Sequence, residues 1–362
     1  MGQKKRRSSK IGLPPGTLVH LGEQRLDHPR IELIEYGPDN VREVRLDAIA
    51  AGRGLASQPV TWLNVHGLHQ PELLAEIGRR FKLHPLVLED ILNTDQRPKV
   101  EDYGDYLFLV AHFFSYDAAT MTLSSDQVSL VIGEGFVLTF QERPTGNFNP
   151  IRERIRQDRA QMRRQGADYL AYCLLDTIVD RYFAVLEAIG ERAEELEEVL
   201  LDGASRHVLE NLHHLKREAL TLRRAVWPLR EVINVLTREH TFFKPETQPY
   251  LRDIYDHTVH VIESLEAIRD LIAGLLDIYL STVSNRVNQE VRVLTVIALI
   301  FLPSTLLAGI FGMNFRRMPL IDDPSGFALV IGLMLGVAAT LGIIFWRRKW
   351  LCLLYTSDAA DE

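Results

Sequence analysis

VLTVIALIFLPSTLLAGIF (293–311) and FALVIGLMLGVAATLGIIFW (327–346) are two apolar runs of 19 and 20 residues without a single charge, near the end of a 362-residue chain. At 1.5 Å rise per residue each helix would cover roughly 28–30 Å, the thickness of a bilayer's hydrocarbon core. Only residues 312–326 separate them, so the pair reads as a hairpin with both outer ends on one side of a membrane. Two such runs back to back are too apolar for the buried hairpin of a soluble core. Arg286 and Arg292 precede the first run, and Arg347, Arg348 and Lys349 follow the second. Flanking cations stay in the cytoplasm. The expectation is a multi-pass protein of the cell (inner) membrane with both termini cytoplasmic: transmembrane helix 1 at 293–311, an outer loop at 312–326, transmembrane helix 2 at 327–346 and a basic tail at 347–351.

Outward from the hairpin, the composition is lopsided. Nearly all charge lies before Arg292, and the net charge of −7 leaves no domain-wide basic surface for phosphates. A nucleic-acid partner is therefore not expected. Cys173 and Cys352 offer neither a disulfide framework nor a thiolate metal site. Lys4, Lys5, Arg6, Arg7 and Lys10 are not followed by an apolar run, so they do not read as a signal peptide. CLLYTSDAADE (352–362) bears no relation to what precedes it and resembles a translated sequencing adapter, so the natural chain is expected to end near Trp350-Leu351.

Residues 1–165 read as an α/β domain. VTWLNVHG (60–67), DYLFLVAHFFSYD (105–117), QVSLVIG (127–133) and FVLTFQER (136–143) are β-type runs bounded by Gly or Asp. PELLAEIGRRFKL (71–83) and HPLVLEDILN (84–93) read as helices, each with a proline near its first turn. No Gly-rich phosphate loop or nucleophile–base motif is present, so neither an enzyme nor an organic cofactor is expected. Residues 166–292 read as a helical stalk: one helix over 167–202 broken at Gly203, a second over about 205–238, and a third that opens near Pro245 and Pro249. From Tyr250 to Phe311 the helix breakers are Gly274, Gly309 and Pro303 alone, too few and too scattered to end a helix, so the third helix runs on into the membrane as the first span. The run Glu194, Glu195, Glu197, Glu198 fits a solvated helix end or a cation-attracting surface.

The lower stalk carries a seam. Asn288, Val291, Thr295, Ala298, Leu302, Thr305, Gly309 and Gly312 follow 3-4 spacing and are small, polar or flexible, while the other faces carry Leu, Ile, Val and Phe. Close helix packing accounts for the small residues. A water-filled pore lined by several copies accounts for Asn288, Thr295 and Thr305 as well. One chain with two spans cannot enclose a conduit, so the pore reading requires a homo-oligomer. Gly332 and Gly336 in the second span suit packing against the first span or a neighbour.

FLPSTLLAGIFGMNFRRMP (301–319) resembles the signature of the CorA magnesium/cobalt transporters, marked by Gly-Met-Asn at the end of the first span. LPPGTLVH (13–20), HPLVLEDILNTDQRPKVEDY (84–103), QVSL (127–130), FNPIRERIR (148–156), WPLREV (227–232), RDIYDHT (252–258) and LLDIYLSTVSN (275–285) extend the resemblance over essentially 13–351. It implies a pentameric funnel, a homopentamer conducting Mg²⁺, and with it Co²⁺ and Ni²⁺, down the membrane potential. Gly312, Met313 and Asn314 would form the selectivity ring, the Asn314 amides holding Mg²⁺ through its water shell. Neutral oxygens suit an ion that gives up water reluctantly and must still leave. Asn288, Val291, Leu294, Ala298, Leu302, Thr305 and Gly309 would line the pore, with Val291, Leu294 and Leu302 as a hydrophobic constriction. The resemblance also implies regulatory Mg²⁺ between neighbouring subunits, at Glu89 and Asp90 on one side and Asp253, Asp176 and His257 on the other. Mg²⁺ bound there would hold the closed ring. Partners would then be the lipid membrane, divalent ions and copies of the same chain.

Two departures and two alternatives accompany that resemblance. Met318-Pro319 is followed by Leu320 and Ile321 where the family places an acidic residue, and Arg316 and Arg317 put positive charge at the mouth, offset by Asp322 and Asp323. A zinc or transition-metal transporter on the same fold is one alternative, although the seam holds no His, Cys or carboxylate to select Zn²⁺. A membrane-tethered metal sensor that does not conduct is the other, and it would need neither a polar seam nor Asn314.

Overall fold

A computed structural model describes residues 12–46, 58–117, 119–203, 205–238, 242–313, 324–348 and 350, with the backbone alone at 160, 161 and 202. The chain divides into two units, one of residues 1–201 and 205–275, the other of residues 202–204 and 276–362.

The first unit opens with a seven-stranded sheet: β1 (Arg30–Tyr36), β2 (Val41–Leu46), β3 (Val60–His66), β4 (Lys99–Asp102), β5 (Tyr106–Asp117), β6 (Thr122–Gly133) and β7 (Phe136–Gln141). The strand order is β2-β1-β3-β7-β6-β5-β4. β3 and β7 pair in parallel, and the other pairings are antiparallel. Because side chains alternate across a strand, each strand serves two cores. Leu63 and Val65 of β3 join Phe108, Val131, Leu138 and Phe140 in a cluster with α1 (Pro71–Phe81) and α2 (Pro85–Leu92), through Leu74, Ile77, Val87, Leu88 and Ile91. On the other face Trp62 meets Phe148, the residue before α3 (Asn149–Arg156), edge-on at 6.0 Å, and Phe113 meets Phe148 at 5.1 Å. α4 (Ala167–Asp202) is tied to the sheet as well: Tyr182 is fully buried, packs on Phe114 and donates its hydroxyl to the His112 carbonyl at 2.8 Å. The sheet is thus covered by helices on both sides, an α/β architecture.

The helical part follows the sequence expectation closely. α4 ends before Gly203, α5 spans Arg206–Arg238, and α6 is one helix of 64 residues, Gln248–Phe311, roughly 96 Å of helix at 1.5 Å per residue. Its start is pinned by buried Asp168 near the beginning of α4, which accepts from the Thr247 hydroxyl at 2.6 Å and the Lys244 amide at 3.1 Å. Leu251, Ile254, Thr258, Val261, Leu265, Ile272 and Leu275 keep 3-4 spacing on α6 and are buried within this unit.

The second unit holds the rest of α6 and α7 (Gly326–Arg347), which among the described residues are the two helices long and apolar enough to cross a membrane. Each shows one covered stripe: Val293, Val296, Ile300, Pro303, Ser304, Leu307 and Phe311 on α6, and Val330, Met334, Val337, Ala338, Leu341, Gly342 and Phe345 on α7. Elsewhere their apolar side chains lie open, including Phe301, Phe327 and Leu335. Apolar surface of that extent on a helix pair calls for a lipid or protein covering.

Candidate functional site

The seam residues Asn288, Val291, Thr295, Ala298, Leu302, Thr305, Gly309 and Gly312, with Leu294 at their edge, are all exposed in the single chain. With 3.6 residues per turn, they centre about 180° around α6 from the covered stripe that includes Val296 and Leu307. The face carrying the polar groups is therefore the face that α6 does not cover within its own chain. The Thr295 and Thr305 hydroxyls donate to the carbonyls of Val291 (2.7 Å) and Phe301 (2.9 Å), which satisfies each hydroxyl hydrogen and leaves oxygen lone pairs for water. Val291, Leu294 and Leu302 project apolar side chains from the same face, with Leu294 68% exposed. At the end of α6, the Gly312 amide bonds the Ala308 carbonyl (2.9 Å) and the Met313 amide that of Ile310 (3.2 Å), so the last turn closes over Gly312 and Met313. Asn314, like Arg316, Arg317, Asp322 and Asp323, lies outside the described residues. Gly332 and Gly336 of α7 are exposed, and a Cβ on either would meet nothing within 4 Å. Their small-residue face is open to a neighbour rather than used inside the hairpin.

The second candidate lies in the other unit, between α4 and α6. Asp176 and Asp180 are one turn apart on α4, and Asp253 and His257 one turn apart on α6. One ligand atom from each of Asp176, Asp180 and His257 falls within 4.8 Å of the others, and His257 Nε2 lies 3.9 Å from Asp253 Oδ1. Sequence reasoning had Asp176, Asp253 and His257 but missed Asp180, whose i, i+4 relation to Asp176 was the available signal. Burial, then the Asp180 and Asp253 charges, push the Asp176 carboxyl up to about 6 against the opposing pull of His257 and Arg154. Asp176 and Asp180, with Asp253 beside His257, are carboxylates that repel one another, and a cation held with the His257 imidazole would relieve that repulsion. Oxygen donors suit Mg²⁺, and the imidazole adds an affinity for Co²⁺ and Ni²⁺.

Glu89 and Asp90 do not join that cluster within one chain. The Glu89 carboxylate accepts from the Gly16 amide at 2.6 Å. Asp90 accepts from Gln96 Nε2 and Lys99 Nζ, each at 2.5 Å, and the Lys99 ammonium also holds Glu101 at 2.6 Å. Asp90 thus carries a local counter-charge from β4, which a divalent ion would meet on approach.

The chain is similar to known proteins along most of its length. The model of the CorA-like Mg²⁺ transporter protein family matches residues 57–349. The chain is 43% identical over 353 residues to the "Cobalt/magnesium transport protein CorA" of Thermotoga maritima, covering 96% of this chain and 100% of that one. Its fold resembles the complete structure of the CorA magnesium transporter from Methanocaldococcus jannaschii, with a TM-score of 0.76 at 23% identity over 88% of this chain and 98% of that chain. By the span of the family match and the full-length identity, this chain belongs to the family of CorA-like Mg²⁺ transporter proteins.

Proposed function

We propose that the chain is a subunit of a homopentameric channel-type transporter that carries Mg²⁺, and with it Co²⁺ and Ni²⁺, into the cytoplasm along the membrane potential. The observation that carries this reading is the polar seam of α6, exposed on the side opposite the covered stripe. A symmetric ring of copies turns that seam toward an axis, where Asn288, Thr295 and Thr305 face water and Leu294, with Val291 and Leu302, forms a constriction that closes by dewetting. Gly312, Met313 and Asn314 form the outer ring, and residues 1–292 with the basic tail lie in the cytoplasm. Driving force needs no nucleotide: a divalent ion gains about 4.6 kcal/mol per 100 mV.

Gating follows from the α4–α6 cluster. Cytoplasmic Mg²⁺ bound by Asp176, Asp180, Asp253 and His257, with Glu89 and Asp90 of an adjacent subunit, stabilises the closed ring. Falling internal Mg²⁺ returns the carboxylates to mutual repulsion and shifts the population toward the open state. Zn²⁺ as the principal cargo finds no His, Cys or carboxylate in the seam.

The test is Mg²⁺ uptake into liposomes carrying the purified chain, beside an Asn314→Ala variant. The reading expects uptake by the wild type and a large loss or altered ion preference in the variant. Equal flux in both removes the role of Asn314, and no flux in either leaves a metal sensor.

A further inference from the structure

The sheet of the first unit contains a polar wall that transport does not use. β3 and β7 are parallel neighbours, with His66 and Gln141 paired in register at their C-terminal ends. The chain leaves β3 for α1 on one face of the sheet and leaves β7 for α3 on the other. Neighbouring parallel strands whose connections diverge to opposite faces open a crevice beyond their carboxyl ends, the usual ligand position in α/β sheets. Such a crevice is present here: an open cavity of about 300 Å³ bounded by His66, Gln141, Thr145, Asn147, Glu32 and Arg152.

His66 and Gln141 line it, and behind them the same sheet face carries polar groups where an ordinary one would be apolar. Asn64, His66, Thr139 and Gln141 are all buried. Trp62 Nε1 donates to Thr139 Oγ1 (3.0 Å), Thr139 Oγ1 donates to Asn64 Oδ1 (2.8 Å), and the Asn64 amide lies 3.1 Å from His66 Nε2. Each link fixes the next: an indole N–H can only donate, so the Thr139 proton goes to Asn64 and the Asn64 NH₂ points at His66. Burial pushes His66 down to about 4, so the ring is neutral, accepts at Nε2 and keeps its proton on Nδ1, where the backbone of Arg143 is near but no hydrogen bond of good geometry forms. Buried polar walls cost stability unless satisfied, and this one is organised down to a tautomer.

Charge narrows the class of ligand. A second open cavity, of about 370 Å³, shares Glu32, Asn149 and Arg152 with the first and adds Glu43, Arg45 and Arg156. Glu32 pairs with Arg152 at 2.8 Å and Glu43 with Arg156 at 2.8 Å, while exposed Arg45 stands 3.6 Å from Glu32, which Arg152 already neutralises. Arg156 is held by Glu153 as well, at 3.3 Å, so the cation with charge left to offer is Arg45, whose one carboxylate neighbour here is already held by Arg152; it stands beside a wall of amides and a hydroxyl. We propose that this crevice binds a small organic oxyanion, a polar metabolite whose hydrogen-bonding body meets Gln141, Thr145 and Asn147 and whose phosphate or carboxylate lies toward Arg152 and Arg45. The site is independent of the pore and of the α4–α6 cluster.

Calorimetric titration of the purified full-length protein in detergent tests this with three probes, AMP, glucose 6-phosphate and glutamate, and with inorganic phosphate as comparison. At least one organic probe binds with a Kd below about 1 mM, inorganic phosphate binds about tenfold more weakly or worse, and the tighter class shows whether phosphate or carboxylate is preferred. Asn147→Trp, which fills the crevice from its loop, and Gln141→Leu, which keeps the bulk and removes the amide, each weaken binding about tenfold, with Mg²⁺ uptake unchanged. Failure of all three probes to bind the wild type overturns the proposal. So does wild-type affinity in both variants, and equal affinity for inorganic phosphate reduces the site to a surface cation and overturns it as well.

Discussion

Helix α6 carries two seams of the same 3-4 spacing and opposite character. Over Leu251 to Leu275 the seam is Leu, Ile, Val and one Thr, and it is buried in its own unit. Over Asn288 to Gly312 the seam is small and polar, and the single chain leaves it open. Spacing alone therefore says that a helix has a preferred partner; side-chain chemistry says what the partner is. The apolar seam finds its own chain, whereas under the proposed function the polar seam on an otherwise apolar helix finds copies of itself around water.

Truncating the two seams separates them most sharply. Ile254→Ala removes a fully buried side chain and costs about 2–5 kcal/mol, read as an earlier thermal midpoint of the purified protein. Leu294→Ala, at a position exposed in the chain, leaves that midpoint nearly unchanged and instead raises Mg²⁺ leak at high internal Mg²⁺ by widening the constriction. An equal loss of stability at both sites would erase the distinction. Bulk is the next test: Ala298→Trp on the seam lowers uptake about 100-fold, while Leu299→Trp on the neighbouring face stays within about threefold.

The α4–α6 cluster gives a pH test. Asp176, raised to about 6, must lose its proton before it can hold a cation. Its folded value lies above the unfolded one, so the stability it contributes in the metal-free protein is present at low pH and lost as pH rises through about 6. Metal binding runs the other way: the Mg²⁺ concentration that protects the chain from protease rises up to about tenfold per pH unit below 6. Asp180→Asn removes one repelling charge, lowers the midpoint of that dependence and weakens protection, and Asp253→Ala abolishes it. Smallest is Thr305→Val, which removes a hydroxyl already donating to the Phe301 carbonyl and lowers uptake about threefold or less.

Much of this was legible in the residues. The helix ends at Gly203 and Phe311, the two spans, and four of the strands follow from apolar period and turn residues. β1 and β2 were harder because RIELIEY and VREVRL alternate with charges that are neutralised only across strands and by α3, as Glu32 is by Arg152 and Glu43 by Arg156. β4, four residues long, is set by pairing with β5 rather than by its own pattern. The same limit hid the Lys99–Asp90 pair. The pair depends on which elements meet in space, which no local spacing carries, whereas Asp180 had only its one-turn spacing from Asp176 to mark it. The buried polar wall beneath the crevice was invisible for the same reason, since Asn64 and Thr139 lie 75 positions apart and meet only through the parallel pairing of β3 and β7.

The central claim, that the open seam of α6 lines a water-filled pore between copies, is tested most directly by thiol accessibility. Single cysteines are placed along 288–312 in a Cys173→Ala, Cys352→Ser background, and each is exposed to a charged, membrane-impermeant thiol reagent during Mg²⁺ uptake. The account predicts modification and loss of uptake at Asn288, Val291, Thr295, Ala298, Leu302 and Thr305, and protection at Val296, Ile300 and Leu307. Modification without that 3-4 period, or uptake that persists when the seam is fully modified, would contradict it.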